Sequence, residues 1–452
     1  MKQKNIYDHS LIYESLKQLL RFIFPKFHRT YEVKGLENIP DHEPIIFAGN
    51  HQLGLIDPLA IILAQKEPIV YMARADIFQN KMAAWFLKRV KITPVYRIRD
   101  GYENLSRNEK QLKIAVEVLR NRKRLGVMPE GNHGAQHRLR PMVKGLFRIA
   151  FLAEKELMGT AHVKIIPVGI DHSKYQQAGA DLIVQFGKPI EVSEFMEVYN
   201  QNPAIGLNNI KDKLATELSD LMLDIQSEPY DLLYELSCYG ASTLLEKDLT
   251  SSFKSIAGKR FEARVKLSKR LNSMAIQDPK QIEQLEKLTH KLKQLPGSPN
   301  EIAEYLDQHS NFKNDFASVI AGFMALPGML LNFPSWILNR AIMVKVEDKQ
   351  MYQTFALTIG LLFNACFYPS VTLMLAFFWG FSVWRSLVLF LMVCTIGLAS
   401  ENYRQSLRMY WKLLPHRFGS KRFFLLKCRA DYQEFKQHLA TLLMQKDASN
   451  NV

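Results

Sequence analysis

The chain has 452 residues, which is too long for one small core and predicts two or three structural units. Lys and Arg (59) outnumber Asp and Glu (44), and the formal charge of +15 favours an anionic partner. The four cysteines show no CxxC spacing and no GxxxxGK[ST] loop occurs, which argues against a zinc site, a disulfide framework and a nucleotide-hydrolysing enzyme.

The first 30 residues predict one amphipathic helix. Apolar side chains recur there at helical spacing and are accompanied by Arg21, Lys26 and Arg29. Such a helix suits a membrane surface, and it suits docking on the protein's own core equally well. Both alternatives stay open at this point.

Residues 31–205 alternate between short apolar runs and amphipathic runs. The apolar runs predict buried strands at 44–48, 68–72, 91–96, 125–129, 163–170 and 181–187. The amphipathic runs predict helices at 57–65, 80–90, 108–123 and 144–157. This alternation indicates an α/β domain, with a mixed, largely parallel sheet and flanking helices. Functional side chains on such sheets gather beyond the carboxyl ends of the strands, where the segments "NH", "VYR" and "PEGNH" fall.

The rest of the chain predicts a charged helical region at 206–312 and a membrane-associated region at 313–452. Between residues 355 and 400 the only charged residue is Arg385, so two membrane spans fit, at about 355–378 and 384–400. The strongly basic tail after this hairpin places both of its ends, and the α/β domain, on the cytoplasmic side. A soluble helical bundle is the alternative.

An earlier uncharged run at 316–339 contains Pro327, Gly328 and Pro334. Proline removes a helical hydrogen bond and crowds the preceding turn. We therefore expect this run to be broken, as a re-entrant or interfacial element.

The stretch "NHQLGLIDPLAI" carries the first candidate site. Asp57 followed by Pro58 predicts a helix start, with Asp57 as its N-cap. His51 lies on the loop before it. A carboxylate that holds one ring nitrogen of a histidine leaves the other free to take a proton. Because five residues separate His51 from Asp57, this pairing requires residues 52–56 to be non-helical.

In order along the chain, "NHQLGLID", "KITPVYR", "MPEGNHG", "VKG" and "VKIIPVGI" resemble the conserved blocks of the glycerophospholipid acyltransferases. This family includes the lysophosphatidic acid and glycerol-3-phosphate acyltransferases, and the resemblance covers roughly residues 30–200. It implies an acyltransferase-type fold with a histidine base oriented by an aspartate. The matching residues are catalytic His51 and Asp57 and substrate-binding Asn50, Arg97, Glu130, Gly131 and Lys144.

Two departures from the family pattern stand out. The family spaces its histidine and aspartate by four residues, whereas this chain has five. The third block has Asn132-His133 where the family has Thr-Arg, so a cation has to come from elsewhere. Nearby candidates are Arg138, Arg140 and Lys144.

The resemblance implies a membrane-bound O-acyltransferase of phospholipid biosynthesis. Its donor is acyl-CoA or acyl carrier protein, and its acceptor is most simply 1-acylglycerol-3-phosphate, which becomes phosphatidic acid. Glycerol-3-phosphate is the alternative acceptor. The expected partners include membrane lipids but no nucleic acid, and neither a metal nor a redox cofactor is implied.

Two further functions belong to other classes. A non-catalytic lipid-binding protein on the same fold would explain the departures. A metal-dependent lipid hydrolase would use His51, Asp57 and His133 as its site. A second possible set of metal ligands is Glu130, His133 and His137, but these residues lie in a predicted loop, and the sequence has no HExxH motif. Asp171-His172 predicts a turn with a surface pair.

Overall fold

The structure is a computed structural model that describes residues 5–96, 105–245, 254–307, 312–398, 400 and 422–449. The chain divides into two compact units. The first comprises Met1–Phe24, Val33–Asp171 and Ile183–Met222. The second comprises Pro25–Glu32, His172–Leu182 and Leu223–Val452. The four-part division of the sequence stays a prediction.

The described strands belong to one eight-stranded sheet. They are β1 (Thr30–Lys34), β2 (Ile45–Gly49), β3 (Ile69–Arg74), β4 (Ile92–Val95), β5 (Arg124–Val127), β6 (Lys164–His172), β7 (Asp181–Phe186) and β8 (Ile190–Glu191). Their order is β1-β7-β6-β2-β5-β3-β4, and β8 pairs with β6.

The sheet is largely parallel, as the sequence predicts. Central β2 runs parallel to β5 and β6, and β3 runs parallel to β5 and β4, whereas β8 is antiparallel to β6. All six predicted strands are present. The short strands β1 and β8 were not predicted, because five half-buried residues and two residues respectively carry no apolar pattern.

Helices flank the strands in the first unit and fill the second. Those up to residue 221 are α1 (Leu11–Phe27), α2 (Ile56–Ala64), α3 (Lys81–Arg89), α4 (Leu105–Arg120), α5 (Gly145–Leu157), α6 (Met196–Gln201) and α7 (Pro203–Leu221). The later ones are α8 (Tyr230–Leu245), α9 (Ile256–Gln277), α10 (Pro279–Thr289), α11 (Pro299–Asp307), α12 (Phe312–Met343), α13 (Tyr352–Phe378), α14 (Val383–Leu398) and α15 (Arg422–Ser449). The predicted helices correspond to α2–α5.

The first unit has an apolar core between the sheet and its helices. Strand residues Ile46, Leu125 and Ile165 pack with Phe147 and Phe151 of α5, and all five are fully buried. Burial on this scale, at roughly 25 cal/mol per Å² of apolar surface, is the main stabilising term for such a layer.

Helix α1 docks on the core of the first unit with one face. The Tyr13 hydroxyl accepts a hydrogen bond of 3.1 Å from Ile69 N, and Lys17 Nζ donates to the carbonyls of Lys66 and Glu67 at 2.8 Å. The opposite face carries exposed apolar side chains, namely Leu11, Leu19 and Phe22. Of the two alternatives, docking on the protein's own core is therefore the one observed.

The second unit has its own helical core. Leu236 of α8, Leu267 of α9 and Leu285 of α10 are fully buried against Tyr432 and Phe435 of α15. Periodic apolar positions on otherwise charged helices bring these faces together.

Helix α12 runs without a break from Phe312 to Met343, through both prolines, so the predicted interruption is wrong. A proline removes only one helical hydrogen bond, and packing can compensate for that loss. Gly328 supplies such packing, because its missing side chain lets the Ile396 carbonyl of α14 approach closely.

The predicted apolar hairpin corresponds to α13 and α14, with exposed Arg385 in the first turn of α14. Within the described residues, only the stretch Lys349–Phe378 is long and apolar enough to cross a membrane. Helix α14 has 16 residues in the range Val383–Leu398, fewer than the roughly 20 that a span requires. A second crossing stays a prediction.

A buried polar cluster joins α12, α13 and α14. Asn332 Nδ2 donates to the Gly397 carbonyl at 2.7 Å and to Ser400 Oγ at 2.9 Å. Its Oδ1 accepts from the Tyr368 hydroxyl at 2.9 Å and from Asn364 Nδ2 at 3.1 Å. Hydrogen bonds between apolar helices fix their register.

Candidate active site

The loop between β2 and α2 carries His51 at the carboxyl edge of the sheet. Helix α2 begins at Ile56, and its N-cap, Leu55, makes no side-chain hydrogen bond. Asp57 is therefore the second residue of the helix, and its predicted role as N-cap is wrong. Its carboxylate turns back instead and accepts hydrogen bonds from the backbone N–H groups of Gln52 (2.6 Å) and Leu53 (2.7 Å).

His51 and Asp57 form a direct pair despite the additional loop residue. His51 Nδ1 lies 3.0 Å from Asp57 Oδ2. The Asp57 side chain is fully buried, and that of His51 is 13% exposed. The stretch predicted to be non-helical, 52–56, ends one residue earlier because α2 begins at Ile56, but the non-helical residues 51–55 suffice for the loop to absorb the extra residue. A buried carboxylate at Nδ1 favours the tautomer with a proton on that nitrogen, which leaves Nε2 able to accept one.

The main chain of His51 is held by the loop that follows β5. His51 N donates to Glu130 Oε1 at 3.2 Å. The His51 carbonyl accepts from Gly134 N at 3.2 Å and from Arg140 Nη2 at 2.8 Å. Both backbone polar groups of His51 are thus fixed by residues 79 to 89 positions later in the chain.

Arg140 and Glu130 form a tight ion pair behind His51. Arg140 Nε lies 2.5 Å from Glu130 Oε2, and the guanidinium also donates to the Asn132 carbonyl. Burial raises the pKa of Glu130 to about 7, and the charge of Arg140 opposes that rise. Of the three candidate cations, the structure places Arg140 against the His51 loop, while Lys144 is an exposed N-cap of α5.

Two glycines shape this loop. Gly131 has a φ of +67°, a left-handed conformation that favours glycine. At Gly134, a Cβ would lie 2.8 Å from Arg140 Nη1, so any side chain there would push the guanidinium away. In "PEGNHG", Gly131 therefore allows the left-handed turn after Glu130, and Gly134 leaves room for the Arg140 guanidinium.

Two further histidines lie on the same loop. The His133 ring stands edge-on to the His51 ring, with centroids 5.6 Å apart. His137 Nδ1 lies 3.1 Å from Asp171 Oδ1, and both side chains are buried. Asp171 and His172 are themselves 2% and 0% exposed, so the predicted surface pair is wrong. Strand β6 continues through both residues instead of ending in a turn.

The described residues contain no group of three His, Cys, Asp or Glu side chains that could hold a metal ion. This holds for the loops around His51 and Glu130, where the hydrolase hypothesis requires such a group. Arg97 lies outside the described residues.

Asn50 is fully buried and faces β6. Its Nδ2 donates to the Ile170 carbonyl at 2.9 Å, and its Oδ1 accepts from Ile170 N at 2.7 Å. The side chain thereby ties the end of β2 to β6 immediately before His51. This contact positions the loop, a role that the sequence does not indicate.

The structure brings together His51, Asp57, Asn50, Glu130 and Gly131 of the predicted site. The sequence did not predict the hydrogen bond that Arg140 donates to the main-chain carbonyl of His51. The only sequence signal for it was a set of three basic residues after the third block.

Comparisons with known proteins find similarity to acyltransferases. The family model described as "Acyltransferase" matches residues 30–171. A 1-acyl-sn-glycerol-3-phosphate acyltransferase of Bacillus subtilis (strain 168) is 27% identical over 134 residues, 29% of this chain. The chain spans 61% of the length of that relative.

Among solved structures, the chain resembles a 1-acyl-sn-glycerophosphate acyltransferase from Thermotoga maritima, with 19% identity and a TM-score of 0.30. The overlap covers 44% of this chain and 78% of that one. The family match at 30–171 encloses the His51–Asp57 pair and the Glu130 loop. Residues 30–171 of this chain thus match the acyltransferase family model, and the similarity to the Bacillus protein supports the glycerophospholipid acyltransferases as its family.

Proposed function

We propose that the protein transfers an acyl chain from an acyl thioester to the free hydroxyl of 1-acylglycerol-3-phosphate, forming phosphatidic acid. The observation that carries the proposal is the 3.0 Å contact between His51 Nδ1 and the buried Asp57 carboxylate. The Bacillus relative, named as a 1-acyl-sn-glycerol-3-phosphate acyltransferase, supports the choice of acceptor.

In the proposed reaction His51 is the general base. Its Nε2 removes the proton from the acceptor hydroxyl as the oxygen attacks the thioester carbonyl. The tetrahedral oxyanion then collapses, the C–S bond breaks, and the leaving thiolate takes the proton from His51. A positioned base of this kind typically contributes about 10²- to 10⁴-fold in rate.

Asp57 orients His51 and stabilises the imidazolium that forms. Its carboxylate is itself held as an acceptor by Gln52 N and Leu53 N, so the ring has a fixed orientation. We assign Asn50, Glu130 and Arg140 to positioning, because each contacts the loop or the main chain of His51. Precise placement of a base against its substrate is worth several powers of ten in rate.

For the acceptor phosphate we propose Arg97 and Lys144 as binding residues. Lys144 is exposed at the N-terminus of α5, on the chain that leaves the Glu130 loop. A lysine at a helix N-terminus combines its own charge with the positive end of the helix dipole. The donor is proposed to be acyl-CoA or acyl carrier protein, and neither a metal nor a redox cofactor takes part in these steps.

The protein is proposed to work at a membrane, with the catalytic domain on the cytoplasmic side. Support comes from the apolar hairpin α13–α14 and from the basic residues that follow it in the sequence.

The test is acyl transfer by the purified full-length protein in detergent. A radiolabelled acyl thioester, as acyl-CoA or acyl carrier protein, is supplied with either 1-acylglycerol-3-phosphate or glycerol-3-phosphate. The proposal predicts labelled phosphatidic acid from the first acceptor and far less product from the second. Product from glycerol-3-phosphate alone would overturn the acceptor. Lipid binding by folded protein without product from either acceptor would overturn the reaction.

A further inference from the structure

Helix α3 carries an apolar stripe, formed by Met82, Trp85 and Phe86, on the surface of the first unit. These side chains are 82%, 55% and 43% exposed. Their spacing of three and four residues puts them on one face of the helix. Ile77, just before the helix, adds a fourth exposed apolar side chain. No residue of α3 is buried, so within the described chain the stripe faces outward.

The helix is nevertheless fixed to the domain. The Asn80 side chain caps it by accepting hydrogen bonds from Met82 N at 2.8 Å and Ala83 N at 3.2 Å. At the other end, Ser10 Oγ donates to the Arg89 carbonyl at 3.0 Å. A nine-residue helix would be marginal on its own, so the Asn80 cap and the Ser10 contact stabilise the helix that carries the α3 stripe.

All charged residues of α3 are basic. Lys81, Lys88 and Arg89 are exposed, and α3 contains no Asp or Glu. The Arg89 guanidinium lies over the Trp85 ring, 4.2 Å from its centroid. Apolar and tryptophan side chains surrounded by Lys and Arg form the pattern of helices that lie in the interface of an anionic bilayer.

The topology places the start of α3 at the same edge of the sheet as His51. Strands β2, β5 and β3 run parallel, and His51, Glu130 and the segment leading to α3 follow their carboxyl ends. Met82, in the first turn of α3, therefore lies towards that edge. Met158, between α5 and β6, lies at the opposite edge and is 87% exposed.

We propose that the α3 stripe, with Lys81, Lys88 and Arg89, docks the catalytic domain on an anionic lipid surface. The acidic headgroups pair with the three cations, and Met82, Trp85 and Phe86 enter the apolar boundary below them. The first turn of α3, at the carboxyl edge of the sheet, then lies at the lipid layer. This surface is distinct from α1, which packs one face on the core, and from the apolar hairpin.

The test labels the full-length protein at position 82 in vesicles of phosphatidylglycerol and phosphatidylcholine. Met82→Cys is made in a Cys366→Ser, Cys394→Ser background, since the other two cysteines are buried, and carries an environment-sensitive fluorophore. Met158→Cys is the matched control. The proposal predicts blue-shifted emission at position 82, quenched by lipids with a nitroxide near the headgroup, and neither effect at position 158.

Three results overturn the proposal. Emission at position 82 that matches the control shows a solvated helix. A blue shift that lipid quenchers leave unchanged and that grows with protein concentration shows a second copy on the stripe. A blue shift and quenching that persist in vesicles of phosphatidylcholine alone show that Lys81, Lys88 and Arg89 do not need acidic headgroups for docking.

A kinetic arm rests on the proposed function. Met82→Glu is expected to raise KM for 1-acylglycerol-3-phosphate presented in anionic vesicles roughly tenfold, because a carboxylate is repelled from the lipid surface. Turnover of a short-chain, monomeric acceptor by Met82→Glu is expected to stay unchanged. The control variant Met158→Glu should keep the wild-type KM for the acceptor in vesicles. The fluorescence arm requires no turnover, so failure of the proposed reaction and failure of the docking surface are distinguishable.

Discussion

Arg140 Nη2 donates a hydrogen bond of 2.8 Å to the main-chain carbonyl of His51, while the same guanidinium pairs with the buried Glu130 carboxylate. His51 is thus held twice, its ring by Asp57 and its main chain by the loop after β5. The position of the proposed base therefore depends on a side chain ten residues beyond Glu130.

Arg140→Ala is expected to lower kcat about 10²-fold, because a displacement of His51 by about 1 Å costs a rate of that order. The variant also removes the cation that lowers the pKa of Glu130, so Glu130 takes up a proton at neutral pH, and the lost hydrogen bonds cost about 1–3 kcal/mol of stability. Steady-state kinetics and thermal unfolding measure the two effects. Arg148→Ala, at an exposed arginine of α5, is the control and should resemble the wild type. Full activity of Arg140→Ala would show that the contacts of Arg140 with the His51 carbonyl and Glu130 have no part in placing His51.

Asp57→Asn is expected to reduce kcat by about 10²- to 10⁴-fold. The amide keeps the shape of the carboxylate but loses the charge that stabilises the imidazolium. Gln52 N and Leu53 N both donate to Oδ2, a position that the amide oxygen can occupy, so the contacts with the loop are kept. The measurement is kcat with saturating acceptor, beside Asp212→Asn at an exposed site of the same unit. Loss of less than about tenfold would mean that His51 works without its partner.

Glu130 should make stability depend on pH. Its pKa is about 7 in the folded protein, above the value of 4.5 for an unperturbed glutamate. The folded state therefore binds the proton more tightly, and the free energy of unfolding falls as pH rises from about 4.5 to about 7. The full change is about 3 kcal/mol, at roughly 1.4 kcal/mol per pKa unit.

Glu130→Gln removes this titration and keeps one acceptor oxygen, which can serve His51 N or Arg140 but not both. Unfolding free energies at pH 5 and pH 8 should therefore differ less in Glu130→Gln than in the wild type. Glu156→Gln, at an exposed glutamate of α5, should follow the wild type. Parallel pH profiles for wild type and Glu130→Gln would show that Glu130 stays ionised throughout.

The sheet and its helices could be predicted because their signals are local. The apolar run at β2 and the amphipathic run at α5 identify their own secondary structure without reference to the rest of the chain. The pairing of His51 with Asp57 followed from the family blocks. The prediction of Asp57 as N-cap was wrong, because its carboxylate turns back to the preceding loop and accepts from Gln52 N and Leu53 N.

The remaining features depend on contacts between distant residues. Nothing near Arg140 in the sequence distinguishes it from Arg138, since the choice is made where Gly134 leaves room for its guanidinium. Likewise, Pro327 and Pro334 predict a break in α12, and only packing against α14 shows why the helix continues.

Asn332 should stabilise the packing of the apolar helices α12, α13 and α14 through its hydrogen bonds. Asn332→Leu removes its hydrogen bonds to Gly397, Ser400, Tyr368 and Asn364. We expect a loss of about 1–2 kcal/mol, seen as a lower Tm in detergent. Ser370→Ala, at an exposed site of α13, should leave Tm unchanged. An equal Tm for Asn332→Leu would show that apolar packing alone holds these helices.

The most direct test of the central claim is acyl transfer to 1-acylglycerol-3-phosphate by the wild type and by His51→Ala, prepared and assayed side by side. His51 contacts the Glu130 loop through its main chain, so the alanine variant keeps those contacts and should fold. The account predicts phosphatidic acid from the wild type and at least about 10²-fold less from His51→Ala at equal thermal stability. Equal turnover by the two proteins would contradict the assignment of His51 as the base.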